Sequence, residues 1–243
     1  MSALAIVHTS DFHGHLTDTA ARALSTLKAE EGALLLDSGD ALLLPQWLPY
    51  CHDDPMIRRM NLAGYDAMAA GNHEFFLRSR QMSRRTRALD CPVLCANLIW
   101  QGEALGNLHR WTILRTPAGD SVGLFGLMPP MVPPGTSLER VSDMRFISWE
   151  QAASEAVAVL RPQVKWLVAL LHIGPTGDAS IAEAFPQIDL ILAGHSHQVT
   201  EEPVRIGDTT LVRSGCRGAF ATVLRSDADD RPATFSCRRV ELP

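Results

Sequence analysis

Five short polar runs carry side chains able to bind metal or move protons: Asp11-Phe12-His13-Gly14, Gly39-Asp40, Gly71-Asn72-His73-Glu74, His172-Ile173-Gly174 and Gly194-His195-Ser196-His197. Each alone is a weak signal, since Asp-x-His after a strand commonly caps a turn and Gly-Asp is ordinary turn chemistry. Gly-His-Ser-His says more, because two imidazoles two residues apart have little structural purpose. Pooled, the runs supply imidazoles, the carboxylates of Asp11 and Asp40 besides that of Glu74, and one amide oxygen, with no cysteine among them. Such an oxygen and nitrogen donor set suits manganese, iron or zinc rather than copper or an iron–sulfur cluster. A single zinc site uses three or four protein ligands. Here at least seven side chains are available, drawn from Asp11, His13, Asp40, Asn72, His73, His172, His195 and His197. That number suits two divalent transition-metal ions sharing one bridging carboxylate, with manganese the first choice.

Each run follows a predicted strand, and the carboxyl ends of strands are where open α/β sheets place their sites. Apolar stretches at Leu4 to Thr9, Ala33 to Leu36, Ala67 to Ala70, Pro92 to Ala96, Ser121 to Leu127, Trp166 to Leu171 and Leu190 to Ala193 read as strands covered on both faces. Helical patterns lie between them at Ala20 to Glu30, Pro55 to Leu62, Arg78 to Ala88, Glu150 to Leu160 and Ala179 to Phe185. Alternation of this kind predicts an α/β architecture. After His197 the chain reads as a β-meander, with strands at Pro203 to Ile206, Thr209 to Ser214, Gly218 to Arg225 and Thr234 to Val240. These are expected to finish a second sheet within one catalytic domain spanning residues 1–243, since no linker composition interrupts the chain. The Pro-rich stretch from Met128 to Gly135 reads as a rigid surface loop, or else a lid over substrate.

Composition bounds the partners. Twenty-two Lys and Arg against 27 Asp and Glu give a net charge of −5, without the basic excess that duplex nucleic acid requires. The five cysteines are odd in number and form no paired zinc pattern, so reduced thiols are expected. The N-terminus lacks the features of a signal peptide and no apolar run reaches the length of a membrane span. The expectation is a cytoplasmic protein without a membrane partner.

In order along the chain, the five runs resemble the calcineurin-like metallophosphoesterases. The stretch from Met60 to Phe75, with its Gly71-Asn72-His73-Glu74, is similar to the 5′-nucleotidase branch in particular, as are Val122 to Leu127 and Ile188 to His195. The resemblance extends from about Leu4 to about Val199. It implies a four-layer α/β/β/α sandwich, two mixed β-sheets flanked by helices. It further implies that Asp11, His13 and His197 hold one metal, that Asn72, His172 and His195 hold a second, and that Asp40 bridges them. A hydroxide between ions about 3.5 to 4 Å apart would then attack phosphorus in line. His73 would bind no metal but face the substrate and stabilise or protonate the leaving oxygen, work suited to imidazole near neutral pH. The substrate implied is a nucleotide or similar small phosphomonoester, with 2′,3′-cyclic nucleotides or other small diesters as the alternative. A non-catalytic scaffold of the same fold is the alternative of another class; degenerate ligands would mark it, and none of the seven is degenerate.

Two departures stand out. The branch's pattern ends Gly-Asn-His-Glu-Phe-Asp, and Phe76 occupies the final position here. That aspartate would pair with the histidine and strengthen it as a general acid, so slower turnover of poor leaving groups is expected rather than a dead site. The branch also carries a further C-terminal domain that contacts the nucleoside, and no stretch of this sequence matches it. Base recognition is therefore expected from loops. Among those, Arg78 opens an arginine cluster whose default is a solvated helix face but which lies near enough to the site to capture phosphate. Trp47, with Tyr50 and His52, falls in a segment that could roof the site and stack a ring. His8 reads as a satisfied core histidine. Asp37 and Asp66 read as supporting or capping residues, and Cys91 and Cys95 as core packing.

Overall fold

All five residues of β1 (Ala5–Thr9) are buried, and their side chains divide by parity. Ala5 and Val7 face one apolar cluster while Ile6 faces another, as the two-residue period of a strand requires when both faces are covered. The same division runs through β10 (Trp166–Leu171): Trp166, Val168 and Leu170 share the cluster of Ile6, whereas Leu167, Ala169 and Leu171 face a third. Two sheets therefore pack face to face over a common inner core, each with its outer face under helices. This is the four-layer sandwich that the resemblance implies. The computed structural model describes residues 4–43, 54–100, 105–133, 135–228 and 231–243.

Strands are numbered in chain order. The first sheet runs β15 (Phe235–Glu241), β14 (Phe220–Ser226), β1, β2 (Leu34–Asp37), β3 (Ala67–Ala69), β4 (Val93–Leu94) and β6 (Leu108–His109). Its five strands from β1 to β6 are parallel, and β14 and β15 add an antiparallel edge. The second runs β12 (Val204–Ile206), β13 (Thr209–Arg213), β11 (Leu190–Ala193), β10, β8 (Ser121–Leu127) and β7 (Trp111–Arg115), parallel except at its two edges. β5 (Leu98–Trp100) and β9 (Met144–Phe146) form a separate antiparallel ribbon.

Helices α1 (Asp18–Glu31), α2 (Pro55–Ala63) and α3 (Ser79–Thr86) cover the first sheet. The ends of α1 are set locally, since the Thr17 hydroxyl accepts the Ala20 amide and Gly32 closes the helix in the left-handed region. After the short α4 (Ser137–Val141), α5 (Trp149–Leu160) and α6 (Pro175–Ala184) cover the second sheet. α6 begins four residues before the Ala179 expected from pattern, because Gly174 turns the chain and Pro175 takes the first helical position, where its missing amide costs nothing.

The terminal strands depart from expectation. Only β12 and β13 finish the second sheet; β14 leaves it and pairs antiparallel with β1 in the first. The segment between β13 and β14 therefore crosses from one sheet to the other. The Pro-rich loop is anchored at its start, where the buried Met128 carbonyl accepts bonds from Asn97 and from the Trp149 indole.

Candidate metal centre

β1, β2 and β3 are parallel neighbours in one sheet, and β10 and β11 in the other, so their carboxyl ends share one edge of the sandwich. Asp11 and His13 follow β1, Asp40 follows β2, Asn72 and His73 follow β3, His172 follows β10, and His195 and His197 follow β11. Backbone bonds zip the first two loops together: Asp11 N–H to the Gly39 carbonyl at 3.0 Å and His13 N–H to that of Asp40 at 2.9 Å. Three bonds join the sheets across this edge. The Ser38 hydroxyl donates to the Leu192 carbonyl at 2.8 Å, His172 Nδ1 donates to the Ser38 carbonyl at 2.7 Å, and His195 N–H donates to Asp11 Oδ2 at 3.0 Å.

Loops this close leave no room for a side chain at certain points. A Cβ on Gly71 would strike the Asp40 carboxylate, and one on Gly194 would lie 2.8 Å from Asp11 Oδ2, which is why glycine precedes Asn72 and His195. The backbone is also forced elsewhere. Among the described residues six non-glycine positions have positive φ: Asp11 (53°), His13 (48°), Asp40 (54°), His195 (68°), His197 (57°) and Arg217 (60°). Conformations of this kind cost energy and collect at functional sites; five of these six are candidate ligands.

The side chains gather into sets able to hold ions. Ligating atoms of Asp11, His13 and His197 lie within 4.8 Å of one another, as do those of Asp40, His172 and His195. His13 Nε2 and His197 Nε2 are 2.9 Å apart and sit 3.7 and 3.4 Å from Asp11 Oδ1. His172 Nε2 is 3.3 Å from Asp40 Oδ2, yet it has no hydrogen-bond partner although wholly buried. Because Nδ1 of that ring is spent on Ser38, Nε2 carries the lone pair of the neutral form. The buried Asn72 Oδ1 is likewise unpartnered. Buried polar atoms are ordinarily satisfied, so the orphaned His172 Nε2 beside the Asp40 carboxylate, and the orphaned Asn72 Oδ1 on the loop after β3, fit cations as their missing partners.

Asp40 and His73 meet in a different way. Asp40 Oδ1 accepts the His73 amide at 2.8 Å, and His73 Nε2 lies 3.9 Å from Asp40 Oδ2. A third set of three ligating atoms, from His13, Asp40 and His73, also lies within 4.8 Å. His73 Nδ1 donates to the Leu42 carbonyl at 3.0 Å, which orients the ring in place of a carboxylate. Phe76 instead packs under the Arg85 guanidinium, 5.4 Å from ring centroid to Cζ, and Arg85 pairs with Asp54 at 2.8 Å.

The charges are strongly coupled. Burial disfavours the Asp40 carboxylate, but the adjacent His172, helped by the His73 amide and ring, outweighs it and holds the group down to about 2. Burial likewise disfavours the His172 cation, and Asp40 overrides it, pushing the ring up to about 9. His13 is raised by its contact with Asp11 against the opposing effect of burial. His195 is lowered by burial and by the His172 charge. Carboxylates that draw His13 and His172 toward the cationic form describe a pocket whose electrostatics favour positive charge.

Glu74 is the supporting residue that sequence reasoning missed. It is 1% exposed, and its carboxylate accepts three amides, those of Gly71 (2.7 Å) and Asp40 (2.9 Å) at Oε2 and that of Leu42 (3.0 Å) at Oε1. One side chain thus fixes the backbone beside Asn72, Asp40 and the carbonyl that orients His73. Its place in the Gly-Asn-His-Glu run was the available signal, but nothing in spacing shows which amides it meets. Asp37 supports similarly, accepting from Gly39 N–H and the Thr9 hydroxyl. Asp66 accepts from Lys28 and the Leu35 amide, and His8 is buried with both ring nitrogens bonded, to Ser38 and Ser214. Arg78 is exposed at the start of α3, and no described contact ties it to the ligand loops. Trp47, Tyr50 and His52 lie outside the described residues.

Comparison with known proteins shows the family and the fold. Residues 4–199 match the family model described as calcineurin-like phosphoesterase. The chain is 27% identical to the trifunctional nucleotide phosphoesterase protein YfkN of Bacillus subtilis over 82% of this chain and 16% of that protein. It is 27% identical to a probable 5′-nucleotidase of Treponema pallidum over 87% of this chain and 38% of that protein. It therefore spans well under half the length of these curated relatives. Among solved structures, a 5′-nucleotidase precursor from Thermus thermophilus superposes with a TM-score of 0.79 at 22% identity, covering 99% of this chain and 54% of that one.

Proposed function

As the chain belongs to the calcineurin-like phosphoesterase family, we propose that it hydrolyses small phosphomonoesters of the nucleotide type with two divalent metal ions. The observation that carries this reading is the pair of ligand sets, Asp11 with His13 and His197 and Asp40 with His172 and His195, together with the buried and unpartnered Nε2 of His172 and Oδ1 of Asn72. Asp11, His13 and His197 would hold one ion, Asn72, His172 and His195 the other, and Asp40 would reach both. Ions bound there neutralise charge developing on the phosphoryl oxygens and make water nucleophilic near neutral pH.

The protein's own groups do the rest. The His195 amide locks the Asp11 carboxylate, and the Ser38 carbonyl fixes which nitrogen of His172 is free. The Leu42 carbonyl accepts from His73 Nδ1 and so holds the ring, leaving Nε2 as the nitrogen that would donate a proton to the leaving oxygen when the ring is in its cationic form. His195 and His197 are exposed, so the centre opens on their side, where an ester can enter. The nucleotide class is supported by the names of the curated relatives and by nothing finer.

Rates on p-nitrophenyl phosphate and bis-p-nitrophenyl phosphate, measured in added Mn²⁺, test the proposal. Faster cleavage of the monoester is expected. A dominant rate on the diester would move the substrate to cyclic or other small diesters, and no turnover of either after reconstitution would make the chain a binding scaffold.

A further inference from the structure

We propose that Arg217 is a substrate-binding residue, presenting its guanidinium to the phosphoryl oxygens beside the Asp11, His13 and His197 set. The inference rests on the phosphoesterase reading above and assigns it a specific phosphate contact.

The first observation is conformational. Six described non-glycine residues adopt positive φ, and the one that is not a candidate ligand is Arg217, at 60°. A long side chain in the left-handed region is strained and persists only where its surroundings determine it. Those surroundings are the two loops that hold the first ligand set. The Arg217 amide donates to the Asp11 carbonyl at 2.8 Å. Two residues earlier the Gly215 amide donates to the carbonyl of Gln198, the neighbour of His197, at 3.0 Å, and Ser214 is bridged to Val199. Gly218 follows in the left-handed region, pressed so near that a Cβ there would lie 2.8 Å from the Phe12 ring. The segment crossing from β13 to β14 is therefore clamped between the Asp11 loop and the His197 loop.

The second observation concerns what the arginine adds. At φ 60° the backbone alone calls for glycine, as at Gly215 and Gly218 on either side. The guanidinium is all that arginine contributes beyond strain. It is not buried as packing, since Arg217 is exposed, and among the described residues it has no ion pair. The Arg217 backbone is held one hydrogen bond from Asp11 of the first ligand set, and an exposed cationic side chain on that segment suits an anion. Guanidinium meets phosphoryl oxygens through two parallel N–H donors. Arg78, by contrast, is connected to the α3 start, where its neighbour Ser79 bonds Asp143.

Arg217→Gly separates binding from structure, because glycine relieves the left-handed backbone while removing the guanidinium. With Mn²⁺-loaded protein and inorganic phosphate as the probe, calorimetric titration is expected to show affinity at least about tenfold weaker than wild type, the order a lost charge-assisted contact gives. Metal content should be unchanged, the melting temperature equal or higher, and KM for p-nitrophenyl phosphate raised. Arg217→Lys should recover part of the affinity. Phosphate binding by the glycine variant as tight as wild type would overturn the inference, and so would loss of metal together with phosphate, since Arg217 would then be building the ligand loop. A wild-type protein that neither binds phosphate nor turns over would overturn the phosphoesterase reading itself.

Discussion

Replacing Glu74 by glutamine isolates the link between buried hydrogen bonding and the metal centre. The carboxylate accepts two amides at Oε2 and a third at Oε1. Burial and the charge of Asp40 raise its pKa, while the three N–H groups it accepts favour the ionised form. In the glutamine variant one oxygen becomes NH₂. Whichever way the amide is turned, at least one buried N–H faces another donor, and the other bonds lose their charge assistance. An unsatisfied buried donor costs about 1–3 kcal/mol, and a bond to a charged group is worth about 1.5–3, so a loss of about 3 kcal/mol is expected. For a chain of this size that lowers the melting temperature by roughly 6–12 °C. The centre should suffer too, because the amides of Asp40 and Gly71 lose their fixed acceptor; supporting residues of this kind change metal affinity by about 10- to 100-fold. Thermal unfolding at pH 8 in chelator, then Mn²⁺ titration at a temperature where both proteins are folded, reads both effects. A Glu74→Gln protein melting with the wild type and binding Mn²⁺ equally well would refute the reasoning.

Two further variants follow from the geometry. His73→Asn should retain bound metal but lose about 10²-fold or more in rate, the usual range for a removed acid or base; the loss should be larger for an alkyl phosphate than for p-nitrophenyl phosphate, because only the poorer leaving group needs the proton. Equal losses on both would remove His73 from protonation of the leaving oxygen. His8 bears on acid stability: burial lowers its pKa from 6.5 to about 3, so below pH 6.5 the unfolded chain takes a proton that the native one refuses. Its contribution is intact above pH 6.5 and lost as pH falls toward 3, reaching about 3 kcal/mol at pH 4.5. Urea unfolding at pH 7 and pH 4.5 should therefore show a smaller acid loss in His8→Gln than in wild type; parallel losses would contradict it.

How much of this was legible in sequence depended on what each residue touches. β8, β10 and β11 coincide with their apolar runs because every position but Ser121 is buried between helix and sheet or sheet and sheet. β7 escaped because most of its residues are only partly covered, and β5, β6 and β9 are two or three residues long, too short to show a period. The candidate ligands were legible because strand ends bring distant polar clusters together without any need to know the loops. Glu74 and Arg217 were not. Glu74 acts on amides 32 and 34 residues away, and Arg217 depends on β14 leaving the second sheet for the first, a choice that the apolar pattern of the meander does not encode.

The central claim is that two ions share Asp40, and metal stoichiometry tests it most directly. Elemental analysis of the wild-type protein after reconstitution with Mn²⁺ should give two ions per chain. Asp40→Asn should fall below one, with hydrolysis of p-nitrophenyl phosphate nearly abolished. A fully active wild type holding a single ion, or an Asp40→Asn protein that keeps both ions and its rate, would contradict the shared centre.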